Sequence, residues 1–374
     1  MIEEYLQGSV GQLLERARSL QAAISKPFPP EFRPLVQTCR NEVNVLIDQF
    51  GKLLTDPRFK KANVQETRLR VFQRLVKDLD FIECVGFAAL TRINDEDKAL
   101  TKLISDITEE IRFPLIAPVA CCQSHHSDYF GAFTMLGLVH VPLLEARFLL
   151  HLPDLYHELC HFILAEENNP VAERYQQALE RAISAATGHL APMLAGSARG
   201  PKAAKDLALA WTTCWLDSWG KELFCDLFGV LAVGPAYAWA HLHLCAKSGQ
   251  DPYAVTSPTH PPDEARLEVL LIALSHLKYQ REASLIEKKW KELHALKKTK
   301  NTADFANCFP RSVLRKCAEE AIQAYGEMNC RPSEPSSGCR VHDLLNEAWE
   351  IFWKSPSQYA NWEKKNYPRL LKSI

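Results

Sequence analysis

The run His157-Glu158-Leu159-Cys160-His161 constrains this chain more than any other stretch. Two histidines four apart, with an acid beside the first, act as a set only on an α-helix. There, side chains four apart project within about 40° of each other. Two imidazoles on one face can hold a single metal ion, and Glu158 can reach water bound to that ion. The flanks suit a helix. Pro153 or Asp154 falls in its first turn, and Phe162, Ile163 and Leu164 continue it along a buried face. His157 and His161 are expected as metal ligands and Glu158 as a general base.

Catalytic zinc takes three protein ligands and keeps one position for water. No third histidine follows at short range, and Glu166 and Glu167 lie too close on the same helix to fold back. A second helix can supply the ligand. Glu222 and Asp226 stand four apart, flanked by Leu223, Phe224, Leu227 and Phe228. Burying two carboxylates in apolar surroundings is costly unless each is paired or bound to metal. Glu222 is expected to ligate the ion, and Asp226 to hold the free ring nitrogen of a ligand histidine. A third island, Thr259 to Leu267, reads as a turn entering a helix. Pro261 and Pro262 restrict the backbone before them, with His260 just ahead and Arg266 about one and a half turns inside. Alone, that island is an ordinary helix start.

Taken together, H-E-x-x-H, then E-x-x-x-D about sixty residues on, then H-P-x-x-x-x-R resembles the gluzincin zinc metallopeptidases. The branch it is most similar to holds the heat-shock membrane endopeptidases and the CaaX prenyl-protein endopeptidases. The resemblance spans roughly residues 130 to 280 and rests on seven positions. It implies Zn2+ on His157, His161 and Glu222, with Glu158 as base. It also implies that His260 stabilises the oxyanion, that Asp226 orients a ligand, and that Arg266 braces the acidic cluster. Peptide-bond hydrolysis by a metalloendopeptidase is the activity it implies. Two other readings stay open: zinc-dependent hydrolysis of a non-peptide amide, and a catalytically silent zinc-bound interaction scaffold. The intact Glu158 speaks against the scaffold, which needs no base beside a metal.

That branch sits in membranes, and this chain is expected not to. The run Leu227 to Cys245 is almost free of charge, but Gly234-Pro235 breaks it and His241 and His243 interrupt it. It reads as two buried helices rather than a span of about 20 apolar residues. No basic-then-apolar leader opens the sequence, and the 12 cysteines include no C-x-x-C pair. Both features point to reduced thiols in a cytoplasm, with Cys330 and Cys339 as a weak candidate pair. Net charge is −1, so no nucleic-acid surface is expected. The expected partners are a protein or peptide substrate and a regulatory protein docked on the N-terminal helices.

The fold is expected to be mostly α (α+β), with a zincin-like catalytic domain and a small β-sheet beside the active-site helix. Residues 1–115 read as a helical bundle: Leu6, Val10, Leu13, Leu14 and Ala17 recur at helical spacing. Further helices follow at about Pro34 to Leu54, Glu66 to Phe87 and Asp95 to Ile111. Residues 116–300 form the catalytic domain, and 301–374 a helical C-terminal extension packed on it. Phe133 to Val141 is apolar and β-rich. Gly131 to Val141, with Gly137, Leu138 and Val139, is the candidate strand to offer an edge to an extended substrate; a buried strand with no exposed edge is the alternative. Beyond it, helices are expected over 171–198, 203–230, 235–247, 263–298, 311–327 and 341–354, with a loop at 195–201.

Overall fold

The computed structural model describes residues 2–60, 64–123, 129–143, 147–196, 202–248, 251–297, 299–335 and 337–371. The chain is mostly α with one small sheet, as the periodicity predicts. It forms two compact units. One holds residues 1–102, 118–123 and 133–141; the other holds 103–117, 124–132 and 142–374. The C-terminal segment 301–374 belongs to the larger unit.

In the first unit, α1 (Ile2–Ile24), α2 (Arg33–Thr55) and α3 (Gln65–Phe81) pack against one another. Apolar residues at steps of three and four give each helix one buried face. Val10, Ala17, Leu20 and Ile24 meet Val36, Cys39, Val43, Leu46, Leu75 and Leu79 in one core. α3 runs through a π-helical turn (Ile82–Phe87) into α4 (Ala88–Thr91). α5 (Asp95–Glu110) follows, and its first turns belong to this unit. Asp97 and Thr101 there accept backbone N–H groups of Cys122 (2.6 Å) and Ala120 (3.0 Å), anchoring strand β1 (Val119–Cys122). β2 (Gly131–Phe133) and β3 (Leu138–Val141) complete a sheet of order β1-β3-β2. β1 and β3 run parallel, with Val119 opposite Leu138 and Cys122 opposite Val141.

That order corrects the substrate-strand expectation. Leu138 and Val139 lie in the middle strand, so both backbone edges are taken by β1 and β2. Gly137 precedes the strand in the left-handed region, φ +63°. Among the described residues β3 therefore has no free edge for peptide addition, and β1 and β2 are the outer strands of the sheet.

The larger unit is built around α9 (Gly220–Val233), which packs on α6 (Asp154–Ala165), α7 (Pro170–Gly196), α10 (Pro235–Ser248), α11 (Asp263–His276), α14 (Arg311–Glu327) and α15 (Arg340–Lys354). Every residue of α9 from Leu223 to Val233 is buried. A helix apolar all round belongs in an interior, which explains the uncharged run that begins at Leu227. No helix among the described residues is long and apolar enough to cross a membrane. α8 (Lys202–Cys214) reaches α9 through a π-helical turn, Trp215–Trp219. The single helix expected over 263–298 is two, α11 and α12 (Gln280–Lys297). Lys278 takes φ +67° at the break, where no glycine or proline announces a stop. α13 (Ala303–Cys308), α16 (Pro356–Asn366) and α17 (Pro368–Leu371) complete the unit. Cys330 and Cys339 are both buried and carry free thiols. Of the loop expected over 195–201, Ala195 and Gly196 end α7, and 197–201 lie outside the described residues.

Candidate metal centre

α6 presents His157 and His161 on one face, with ring centroids 5.1 Å apart. The opposite face packs inward: Leu155, Leu159, Cys160 and Ile163 are essentially without exposure. The Cys160 thiol donates to the Phe224 carbonyl of α9 at 3.7 Å, and the Tyr175 hydroxyl of α7 donates to the same oxygen at 2.9 Å. These contacts fix α6 and α7 against α9 at the level of Glu222.

The Glu222 carboxylate faces three imidazoles. Its Oε2 lies 3.2 Å from His157 Nε2 and 3.7 Å from His260 Nε2, and its Oε1 lies 3.9 Å from His161 Nε2. The other nitrogen of each α6 histidine is engaged elsewhere. His157 Nδ1 is 3.0 Å from Asp226 Oδ1, and His161 Nδ1 is 3.5 Å from the Cys225 thiol. Both rings therefore turn Nε2 inward and Nδ1 outward.

Asp226 has no exposed surface, yet its charge is well matched. It accepts Arg266 Nε at 2.7 Å, Arg266 Nη2 at 2.6 Å and the Tyr237 hydroxyl at 2.6 Å, besides facing His157. Tyr237 Oη also lies 3.0 Å from His157 Nδ1. Two glycines put Tyr237 there. Gly234, at φ +72°, ends α9 and turns the chain into α10. Gly229 lies against the tyrosine, and a Cβ on it would stand 2.9 Å from two ring carbons. A side chain at Gly229 would crowd the Tyr237 ring, and one at Gly234 would meet Ser333 and Tyr279.

The electrostatics follow from burial and neighbours. Burial pushes the Asp226 carboxyl up, but the Arg266 guanidinium outweighs it and holds the pKa well below the usual carboxylate range. Glu222 is likewise pushed up by burial and pulled down further by His157 and Arg266, to about 2. Burial disfavours the His157 imidazolium, yet Cys225, Asp226 and Glu222 outweigh that and raise its pKa well above the ordinary value. Burial holds the Cys225 thiol itself well above its usual range. At neutral pH both carboxylates are therefore ionised and face the Arg266 guanidinium and the imidazoles. Glu158 differs: burial dominates and raises it to about 7, although the Ala132 N–H bonds to its carboxylate. Asp154, one turn earlier, is raised to about 7, also by burial.

The donor set fits zinc. With Zn–N and Zn–O bonds of about 2.0–2.1 Å, a tetrahedral ligand edge measures about 3.3 Å. The His157–Glu222 separation of 3.2 Å matches it, and the His161–Glu222 separation of 3.9 Å is within a small side-chain shift. One ligand atom each of His157, His161 and Cys225 also fall within 4.8 Å of one another. The thiol, however, meets the outer nitrogen of His161, whereas Glu222 meets the inner ones. Glu222 could therefore serve as third ligand on the inner side, with Cys225 on the outer side of His161.

The larger unit thus gathers His157, Glu158, His161, Glu222, Asp226, His260 and Arg266, the seven positions singled out in the sequence. Gly137, Leu138 and Val139 belong to the other unit. Tyr237 and Cys225 stand outside those seven, and Asp154 was expected only as a helix start; the Gly234-Pro235 break was the one sequence signal near Tyr237. Comparison of the chain with protein-family models, with curated proteins and with solved structures finds no match.

Proposed function

We propose that this chain is a zinc metallopeptidase of the gluzincin kind, with Zn2+ held by His157, His161 and Glu222. The observation that carries the reading is the approach of three imidazole Nε2 atoms to one carboxylate, with Asp226 behind His157. When bound, zinc supplies a Lewis acid that acidifies water and polarises a carbonyl. Glu158 accepts the proton of the attacking water and passes it to the leaving amine. Its pKa of about 7 suits both halves of that transfer. His260, with Nε2 on the Glu222 side and over half its side chain exposed, donates to the oxyanion. Asp226 and Tyr237 keep His157 in one tautomer, and Arg266 keeps Asp226 ionised. Ala132 of β2 meets Glu158, so β2, not β3, is the strand we assign to an extended substrate.

The test compares the purified wild type with Glu158→Gln and Glu222→Ala, reading bound metal and cleavage of a mixed peptide pool with a chelator control. Wild type should cleave and stop on chelation. Glu158→Gln should keep metal and lose cleavage, and Glu222→Ala should lose metal. Full cleavage by Glu158→Gln refutes the assignment.

A further inference from the structure

A second cluster of ligand-type side chains borders Arg266. His241 and Cys245 stand four apart on α10, and Asp263 opens α11. One ligand atom from each falls within 4.8 Å of the other two. Cys245 Sγ is 3.5 Å from His241 Nε2. A tetrahedral zinc with Zn–S of about 2.3 Å and Zn–N of about 2.0 Å has an S···N edge of about 3.5 Å. The observed separation, a thiol–imidazole hydrogen bond as it stands, is one that a shared ion can span.

The surroundings suit a cation. His241 and Cys245 are 2% and 3% exposed, so water competes poorly for their donors. Burial holds His241 near pKa 4, leaving a neutral ring at physiological pH. Arg266 borders the cluster and its charge reaches both His241 and Cys245, but two hydrogen bonds to Asp226 offset part of it. A cavity of about 200 Å³ borders the cluster, lined by Cys245, Asp263, Asp251, Thr256, Ser257 and His260 among others. It gives an entry path and room for a water ligand.

We propose that His241, Cys245 and Asp263 form a second, structural site for a divalent metal of the zinc class, with a water from the adjoining cavity as fourth ligand. Binding replaces the Cys245 thiol proton, which leaves to solvent, by the metal–sulfur bond. The thiolate and imidazole select a borderline-soft ion over magnesium or calcium. The ion would tie α10, which carries Tyr237, to α11, which carries Arg266. Both residues hold Asp226, so this site would support the first one mechanically without taking part in its chemistry.

The experiment uses the full chain, stripped of metal and titrated with Co2+. It reads total bound cobalt and the thiolate-to-cobalt charge-transfer absorption. Wild type should show the thiolate band, and Cys225→Ser should keep it. Cys245→Ser should lose the band and about one equivalent of cobalt. Asp263→Asn, which preserves shape and folding, should weaken the band-forming event at least about tenfold. A His157→Ala/His161→Ala double variant should lose the other equivalent and keep the band. If that double variant binds as much cobalt as wild type, the first centre fails while this one stands. A wild type without the band, a Cys245→Ser variant that retains it, or an Asp263→Asn variant of undiminished affinity overturns the second site.

Discussion

Two substitutions around Asp226 should differ in a fixed order. Tyr237→Phe removes one hydrogen bond to a carboxylate, 2.6 Å long, and leaves the ring packed on Gly229. His157 Nδ1 and both Arg266 donors stay, so no buried charge is orphaned. The cost should be that of one bond to a charged group, about 1.5–3 kcal/mol. Arg266→Met removes two bonds and the cation that keeps Asp226 ionised, in a place with no exposure. Breaking a buried pair from one side costs about 3–5 kcal/mol. Because both residues meet Oδ1 of Asp226, the double variant should fall short of the sum. Denaturant unfolding followed by tryptophan fluorescence reads this well. All 8 tryptophans lie between 211 and 362, in the unit that holds the site. Zinc competition on the same variants should show affinity lowered about 10- to 100-fold, since both act through the orientation of His157. The reasoning is wrong if Arg266→Met costs no more than Tyr237→Phe, or if both lie within about 0.5 kcal/mol of wild type.

Cleavage should fall as pH drops through about 7, because burial raises Glu158 to that value and only its ionised form accepts a proton. A rate unchanged down to about pH 5 would remove Glu158 as the base. Gly229→Ala places a methyl 2.9 Å from the Tyr237 ring and should destabilise by about 1–3 kcal/mol, measurable by the same unfolding assay. Gly234→Ala should be worse. It adds strain at φ +72° to a clash with Ser333, so a neutral result would contradict the tight turn described for α9 and α10. His260→Ala should lower kcat with little change in bound metal, whereas lost zinc would recast His260 as a ligand.

Much of the fold was legible because amphipathic spacing is a local property. α2 and α5 fall within a residue or two of the spans that the apolar repeats predict. The break at Lys278 was not legible, since it depends on how α11 and α12 pack rather than on a stop residue. The π-helical turns at Ile82–Phe87 and Trp215–Trp219 were hidden for the same reason. Their sequences are helix-compatible, and one extra residue per turn leaves no compositional mark. β3 was legible as a strand, but whether it was an edge or a buried strand was not. Alternation and β-branching say that a segment is extended; they do not say how many neighbours it pairs with.

The site was legible where chemistry conflicts with surroundings. Asp226 between Phe224, Leu227 and Phe228 is an ionised group in an interior helix, and that conflict required partners before any were seen. Tyr237 raises no such conflict, since a buried tyrosine reads as core until its hydroxyl has an address. The same contrast bears on what the Asp226 network is for. A buried ion pair gains little over well-packed apolar residues of equal volume, so stability alone does not account for four groups converging on one carboxylate. What that arrangement does secure is a single direction for the His157 ring, with Nδ1 held outward and Nε2 facing Glu222. A ring fixed in that way loses little freedom when it meets a metal, and the network is best understood as stabilisation spent on orientation.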